Sequence, residues 1–138
     1  MKAVFLDFAT LGPGLDASAM HAAMPELEIF DVTTAEQVAQ RIDGAVIALA
    51  NKVRFPARLL QENPRLRLIG LTATGTDNVD LAAAQELDIA VCNIRNYCTQ
   101  SVAEHVFGSL LNLTHNLSRY DTAVRRGEWQ KSQDFCLM

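Results

Sequence analysis

Cysteine is scarce in this chain. Cys92, Cys98 and Cys136 are an odd three, with no C-x-x-C pair and no histidine at zinc-ligand spacing. That argues against a disulfide framework or a zinc site and points to buried or idle thiols in a reducing cytoplasm. Positive charge is not in excess either. Twelve Lys and Arg stand against sixteen Asp and Glu, a formal net charge of −4. The basic footprint that nucleic acid or an anionic membrane requires is therefore missing. No apolar run approaches the ~20 residues of a membrane span. The start, MKAVFLDF, has one lysine and an apolar run too short for a secretory leader. The histidines His21, His105 and His115 lack a carboxylate at a telling spacing. His105 adjoins Glu104, but neighbouring helix residues point apart. All three read as surface or packing residues, and Glu104 as a helix-start charge.

What is present suits a soluble globular fold: 138 residues, 49% hydrophobic and 20% charged, enough to build a core. Short apolar runs alternate with helical patterns. Residues 2–8 read as a buried strand, followed by a turn at Gly12-Pro13-Gly14. Asp16 is placed to N-cap a helix through Met24, which Pro25 stops. Residues 27–32 form a second strand. Thr33-Thr34 then opens a helix to about Ile42, with Glu36 or Gln37 near the capping-box position, and Gly44 breaks it. Residues 45–50 are a third strand. Pro56 starts a helix that Pro64 ends. Residues 66–71 make the fourth strand, 81–87 a helix, and 89–92 the fifth strand. Nearly continuous apolar strands spaced by helices imply a parallel sheet covered on both faces. The expected fold is α/β, an open doubly wound five-stranded sheet of flavodoxin-like kind. Ligands in such sheets sit beyond the carboxyl ends of the strands, where the loops 9–15, 51–55, 72–78 and 93–99 gather with Thr33.

From Thr99 the pattern changes. Val102, Val106, Leu110, Leu113, Leu117, Tyr120 and Val124 recur at spacings of three and four, widened by Ala103, Phe107 and Leu111. This is a long helix with a broad apolar face, and Asn116 and Ser118 mark a kink or break. The face is too wide for a small sheet to cover alone, so burial against another chain or domain is expected. Domains are read as 1–98 and 99–138.

Two stretches carry chemistry. The Ala73-Thr74-Gly75-Thr76 turn follows the fourth strand and precedes Asp77-Asn78-Val79-Asp80. Glycine admits close approach to the backbone, and N–H groups pointing outward there form a cradle for a carboxylate. The plainer alternative is an ordinary strand-to-helix turn. Asn51-Lys52-Val53 follows the third strand beside it. Lys52 can neutralise a carboxylate while the N–H groups of its loop bind it; otherwise it is a solvated surface lysine. Gly12-Pro13-Gly14-Leu15-Asp16-Ala17 fits G-x-G-x-x-A, but it is not read as a dinucleotide loop. Pro13 removes an N–H, and Asp16 puts a carboxylate where pyrophosphate would need the positive helix end.

TGTDNVDLAAA, then a strand, a loop and SVAEH opening a long helix, resembles the substrate domain of the D-isomer-specific 2-hydroxyacid dehydrogenases. MKAVFLD followed by TLGPG, and ANKV at 50–53, agree with the glycerate dehydrogenase or hydroxypyruvate reductase branch. The likeness runs along essentially the whole chain, and its specificity lies in the ordered set. It implies an oxidoreductase that uses NAD or NADP on a small 2-hydroxy or 2-keto acid. Asn51, Lys52, Val53, Ala73, Thr74, Gly75 and Thr76 would line the substrate pocket, and Val102 would lie near the nicotinamide end of the cofactor. The long helix would join two domains and form a homodimer interface over 102–124.

The family's His–Glu pair, catalytic Arg and glycine-rich cofactor loop would all follow the position where this sequence stops. Arg54, Arg58 and Arg95 do not replace that Arg. The closing QDFCLM looks cut rather than finished, so the expectation is a substrate-binding portion with no cofactor bound and no turnover alone. The competing reading is a non-catalytic flavodoxin-like domain that binds a small carboxylate or a partner protein. A phospho-receiver is disfavoured, because strand three ends in Ala50-Asn51 and strand five is followed by Asn93 rather than Lys. A flavin carrier would need a hydroxyl- and glycine-rich loop after strand one.

Overall fold

The computed structural model describes residues 1–133; residues 134–138, with Cys136 and most of the closing run, lie outside the described residues. The chain forms two compact units, Met1–Arg95 and Asn96–Met138.

The first unit is a five-stranded, all-parallel sheet in the order β2-β1-β3-β4-β5. Its strands are β1 (Ala3–Phe5), β2 (Leu27–Ile29), β3 (Ile47–Ala50), β4 (Leu68–Leu71) and β5 (Ala90–Cys92). The helices between them are α1 (Ser18–Ala23), α2 (Ala35–Ile42), α3 (Ala57–Gln61) and α4 (Leu81–Glu86). This is the expected α/β sheet in flavodoxin-like order. Alternation divides β1 between two cores. Val4 points with Ala48, Ile69 and Leu71 toward Val38 and Ile42 of α2, Leu59 and Leu60 of α3, and Ala83 and Ala84 of α4. Each fully buried Leu, Ile or Val in that cluster stabilises by roughly 1.5–3 kcal/mol. Ala3 and Phe5 face the other way, toward Leu27, Met20 and Met24. Outside the strands, α1 with Met24 and a 3₁₀ turn at Phe8–Leu11 supply that second cluster, and Ile47, Leu49 and Leu68 on this face are half-buried.

Several local signals act as read. The Thr34 N–H donates to Gln37 Oε1 at 3.0 Å, fixing the start of α2. Pro56 precedes α3, whose end is held by the buried Asn63 amide donating to Leu59 O at 2.7 Å. Asp80 caps α4 by accepting the Ala83 N–H at 3.0 Å. Others differ. β1 stops at Phe5, because the next residues turn into the 3₁₀ segment. The N-cap of α1 is Ala17, not Asp16, whose carboxylate takes the Ser18 N–H at 2.9 Å and the Ser18 hydroxyl at 2.6 Å. These contacts hold the Asp16 carboxyl below the ordinary carboxylate range, the hydroxyl contributing most.

The second unit contains α5 (Thr99–Thr114) and α6 (Leu117–Arg125). Asn116 takes a left-handed conformation, φ 52°, and breaks the helix there. Neither helix buries a residue, and Val102, Val106, Phe107, Leu110 and Leu113 are all exposed. Glu104 accepts the Gln100 side-chain amide at 2.8 Å, as a helix-surface charge does.

Candidate functional site

Parallel strands place every carboxyl end on one edge of the sheet. Because β3 and β4 are neighbours in register, Asn51-Lys52-Val53 and Ala73-Thr74-Gly75-Thr76 leave that edge side by side. Hydrogen bonds stitch them together. Thr72 N–H donates to Ala50 O at 2.9 Å, Phe55 N–H to Asn78 O at 2.7 Å, and Asp80 N–H to Phe55 O at 3.0 Å. The Asn78 amide donates to Val53 O at 2.9 Å and to Asn51 O at 3.4 Å. Asn93, after β5, donates to Thr74 O at 2.7 Å and secures the far side of the turn.

The two loops differ in which groups remain available. In the 51–53 loop, the N–H groups expected to receive a ligand carboxylate already have one. Asp7, 5% exposed and two residues beyond β1, accepts from Asn51 at 2.8 Å, Lys52 at 2.6 Å and Val53 at 3.2 Å. A buried carboxylate needs such donors, and three from one loop satisfy it. This corrects the sequence reading, in which those amides faced the ligand. The Lys52 side chain is exposed and makes no hydrogen bond or ion pair among the described residues. In the 73–76 turn, by contrast, the N–H groups of Ala73, Thr74, Gly75 and Thr76 donate no hydrogen bond among the described residues. Thr74 and Gly75 are exposed. Gly75 does not have a positive φ, so its backbone conformation does not demand glycine.

Lys52 lines two clefts. One, of about 390 Å³, is bounded by Asp7, Thr10, Asp31 and Thr33; the other, of about 360 Å³, has Val38, Pro56 and Leu59 with Arg54. Arg41 is committed nearby: it lies 4.1 Å over the Phe30 ring and donates to Val32 O at 2.6 Å. Arg58 is engaged as well, paired with Glu62 at 2.7 Å, which raises its pKa. No group of three or more His, Cys, Asp or Glu able to hold a metal occurs among the described residues. His21, His105 and His115 are exposed. Cys92 is exposed and Cys98 partly so, and both are free thiols, so of the two alternatives, buried or idle, Cys92 is not the buried one. Val102 lies on α5 in the second unit and is exposed.

The Gly12–Ala17 loop does not suit a dinucleotide. The Gly12 N–H is spent on Ala9 O at 3.3 Å, Pro13 has none, and α1 is six residues long with the Asp16 carboxylate at its start. Asp7 is the residue of this edge that the sequence reading passed over. The one local hint was an aspartate directly after a buried apolar run; its partners 45 residues on are visible only in the fold.

Comparison with known proteins agrees with this architecture. The model of the D-isomer specific 2-hydroxyacid dehydrogenase catalytic domain matches residues 8–127. A glycerate dehydrogenase from Methylorubrum extorquens is 44% identical over 137 residues, 98% of this chain and 42% of the relative. A hydroxypyruvate reductase from Blautia hydrogenotrophica is 35% identical over 140 residues, 99% of this chain and 43% of the relative. Among solved structures, D-lactate dehydrogenase from Aquifex aeolicus, complexed with NAD and lactic acid, superposes with a TM-score of 0.76 at 26% identity, covering 96% of this chain and 39% of that one. The chain thus spans less than half the length of the relatives it matches. The parallel sheet, the paired loops on its carboxyl edge and a family match over most of the chain lead to one conclusion: the chain belongs to the D-isomer specific 2-hydroxyacid dehydrogenase family.

Proposed function

We propose that this chain is the substrate-binding part of an NAD(P)-dependent D-2-hydroxyacid dehydrogenase acting on glycerate, hydroxypyruvate or a close analogue. The observation that carries the reading is the row of unpaired N–H groups over 73–76, on the loop next to the one that bears the unpaired Lys52. Backbone donors and an ammonium group together suit a carboxylate: the amides orient it and Lys52 offsets its charge. Asn51 and Val53 form the wall from which Lys52 projects. Val102 is assigned to the nicotinamide end by family correspondence alone. The exposed apolar face over 102–124 fits a homodimer interface, and a cytoplasmic location fits the free thiols. No helix among the described residues is long and apolar enough to cross a membrane. Because the one G-x-G-x-x-A loop is unsuited to a dinucleotide, the chain by itself is assigned substrate contacts and no redox step.

The test is a titration of the ¹⁵N-labelled chain with D-glycerate, with glycerol as the uncharged control. Saturable amide shifts at 73–76 and near Lys52 are expected with glycerate only. Equal shifts with glycerol, or none with either, would reject the carboxylate cradle. NADH oxidation with hydroxypyruvate by the chain alone would contradict its assignment as a substrate-binding part.

A further inference from the structure

We propose that Asp7 is a positioning residue for this half-site, acting through the Lys52 backbone. The inference rests on the carboxylate reading given above and adds to it a residue that touches no ligand. Asp7 is buried, yet it forms no ion pair among the described residues. It is met by the N–H groups of Asn51, Lys52 and Val53, with Asn51 reaching both carboxylate oxygens at 2.8 and 3.1 Å. A second ring closes around the same point. The Thr10 hydroxyl donates to Asp7 O at 2.7 Å, and the Asn51 side-chain amide donates to Thr10 Oγ1 at 3.1 Å.

Two consequences follow. The loop backbone is tied to the segment that follows β1, so the point from which the Lys52 side chain leaves is fixed on the loop that adjoins the 73–76 turn. The Asp7 charge is also neutralised by amide dipoles, which leaves the Lys52 ammonium without an anionic partner among the described residues. A carboxylate lacking those amides would compete for that ammonium. Asp7 thus keeps the lysine both in place and vacant for an incoming acid.

A double-mutant cycle on the full chain tests this, with D-glycerate as the probe. Asp7→Asn keeps the shape and one acceptor oxygen while removing the charge. It is expected to stay folded, to speed hydrogen exchange at the 51–53 amides, and to weaken glycerate binding roughly tenfold, about the loss of one charge-assisted contact. Lys52→Met should weaken binding by itself. On the Lys52→Met background, Asp7→Asn should change the Kd less than about twofold, because no ammonium remains to be positioned. A structural role would give the same loss on both backgrounds, and that outcome overturns the proposal, as does an unchanged Kd for Asp7→Asn alone. If Asp7→Asn does not fold, Thr10→Val loosens the same ring from its exposed side. A Kd for it within about twofold of the parent would then overturn the proposal. A parent chain showing no saturable shift at 73–76 refutes the half-site reading itself, and is recognised before any variant is compared.

Discussion

Replacing Gly75 by alanine separates two reasons for a glycine. The residue has no positive φ, so a side chain brings no backbone strain. A Cβ there would stand 2.8 Å from Asp77 Oδ1. Asp77 is exposed, and its carboxylate can turn away. Displacing one rotamer costs about 0.5–1.5 kcal/mol. Alanine also restricts the unfolded chain, which stabilises by about 0.4–1 kcal/mol. The two terms nearly cancel, so urea unfolding should place Gly75→Ala within about 1 kcal/mol of the parent. Binding should respond differently. The new methyl group narrows the approach of a ligand to the backbone of this turn. Glycerate affinity should fall by about tenfold or more, read from the amide titration. A loss of stability above about 2 kcal/mol would mean that the glycine serves the fold. Unchanged stability with unchanged affinity would mean that no ligand approaches this turn.

Two further outcomes test local parts of the description. Asp80→Ala removes the acceptor of the Ala83 N–H and should cost about 1 kcal/mol in urea unfolding, with Asp80→Asn recovering most of it; equal stability of all three would discount the cap. Asp16 has a lowered pKa because Ser18 donates to its ionised form, so this contribution to stability is present above the ordinary carboxylate range and fades as pH falls through the lowered value. Ser18→Ala should move the Asp16 titration upward in carboxyl-detected NMR, and a downward move would contradict the assigned cause.

The sheet was readable because its signals are local and agree with one another. Residues 3–6 are all apolar and all buried, Gln37 sits three residues after Thr34, and Asn116 lies where two helical stretches meet. Asp16 misled because a carboxylate two residues before a helix can bond Ser18 as readily as it can cap, and composition does not tell these apart. The clasp on residues 51–53 was hidden for a different reason. Asp7 and Lys52 are 45 residues apart, and no periodicity links them. Only the pairing of β1 with β3 brings them together. The adjacency of the 51–53 and 73–76 loops was legible, since it needs only neighbouring parallel strands. Which of their amides stay unpaired was not, because that depends on a side chain from a third strand.

β1 lies between β2 and β3, so the first strand in the sequence is among the innermost of the sheet. Residues 3–5 bond to 27–29 on one side and 47–49 on the other. A ribosome must therefore release the chain through residue 49 before this apolar segment has both flanks occupied, and until then its unpaired edges stay exposed to other chains. Trimming the amino terminus would not fray an end. It would cut the sheet in two, leaving β2 on one side and β3, β4 and β5 on the other.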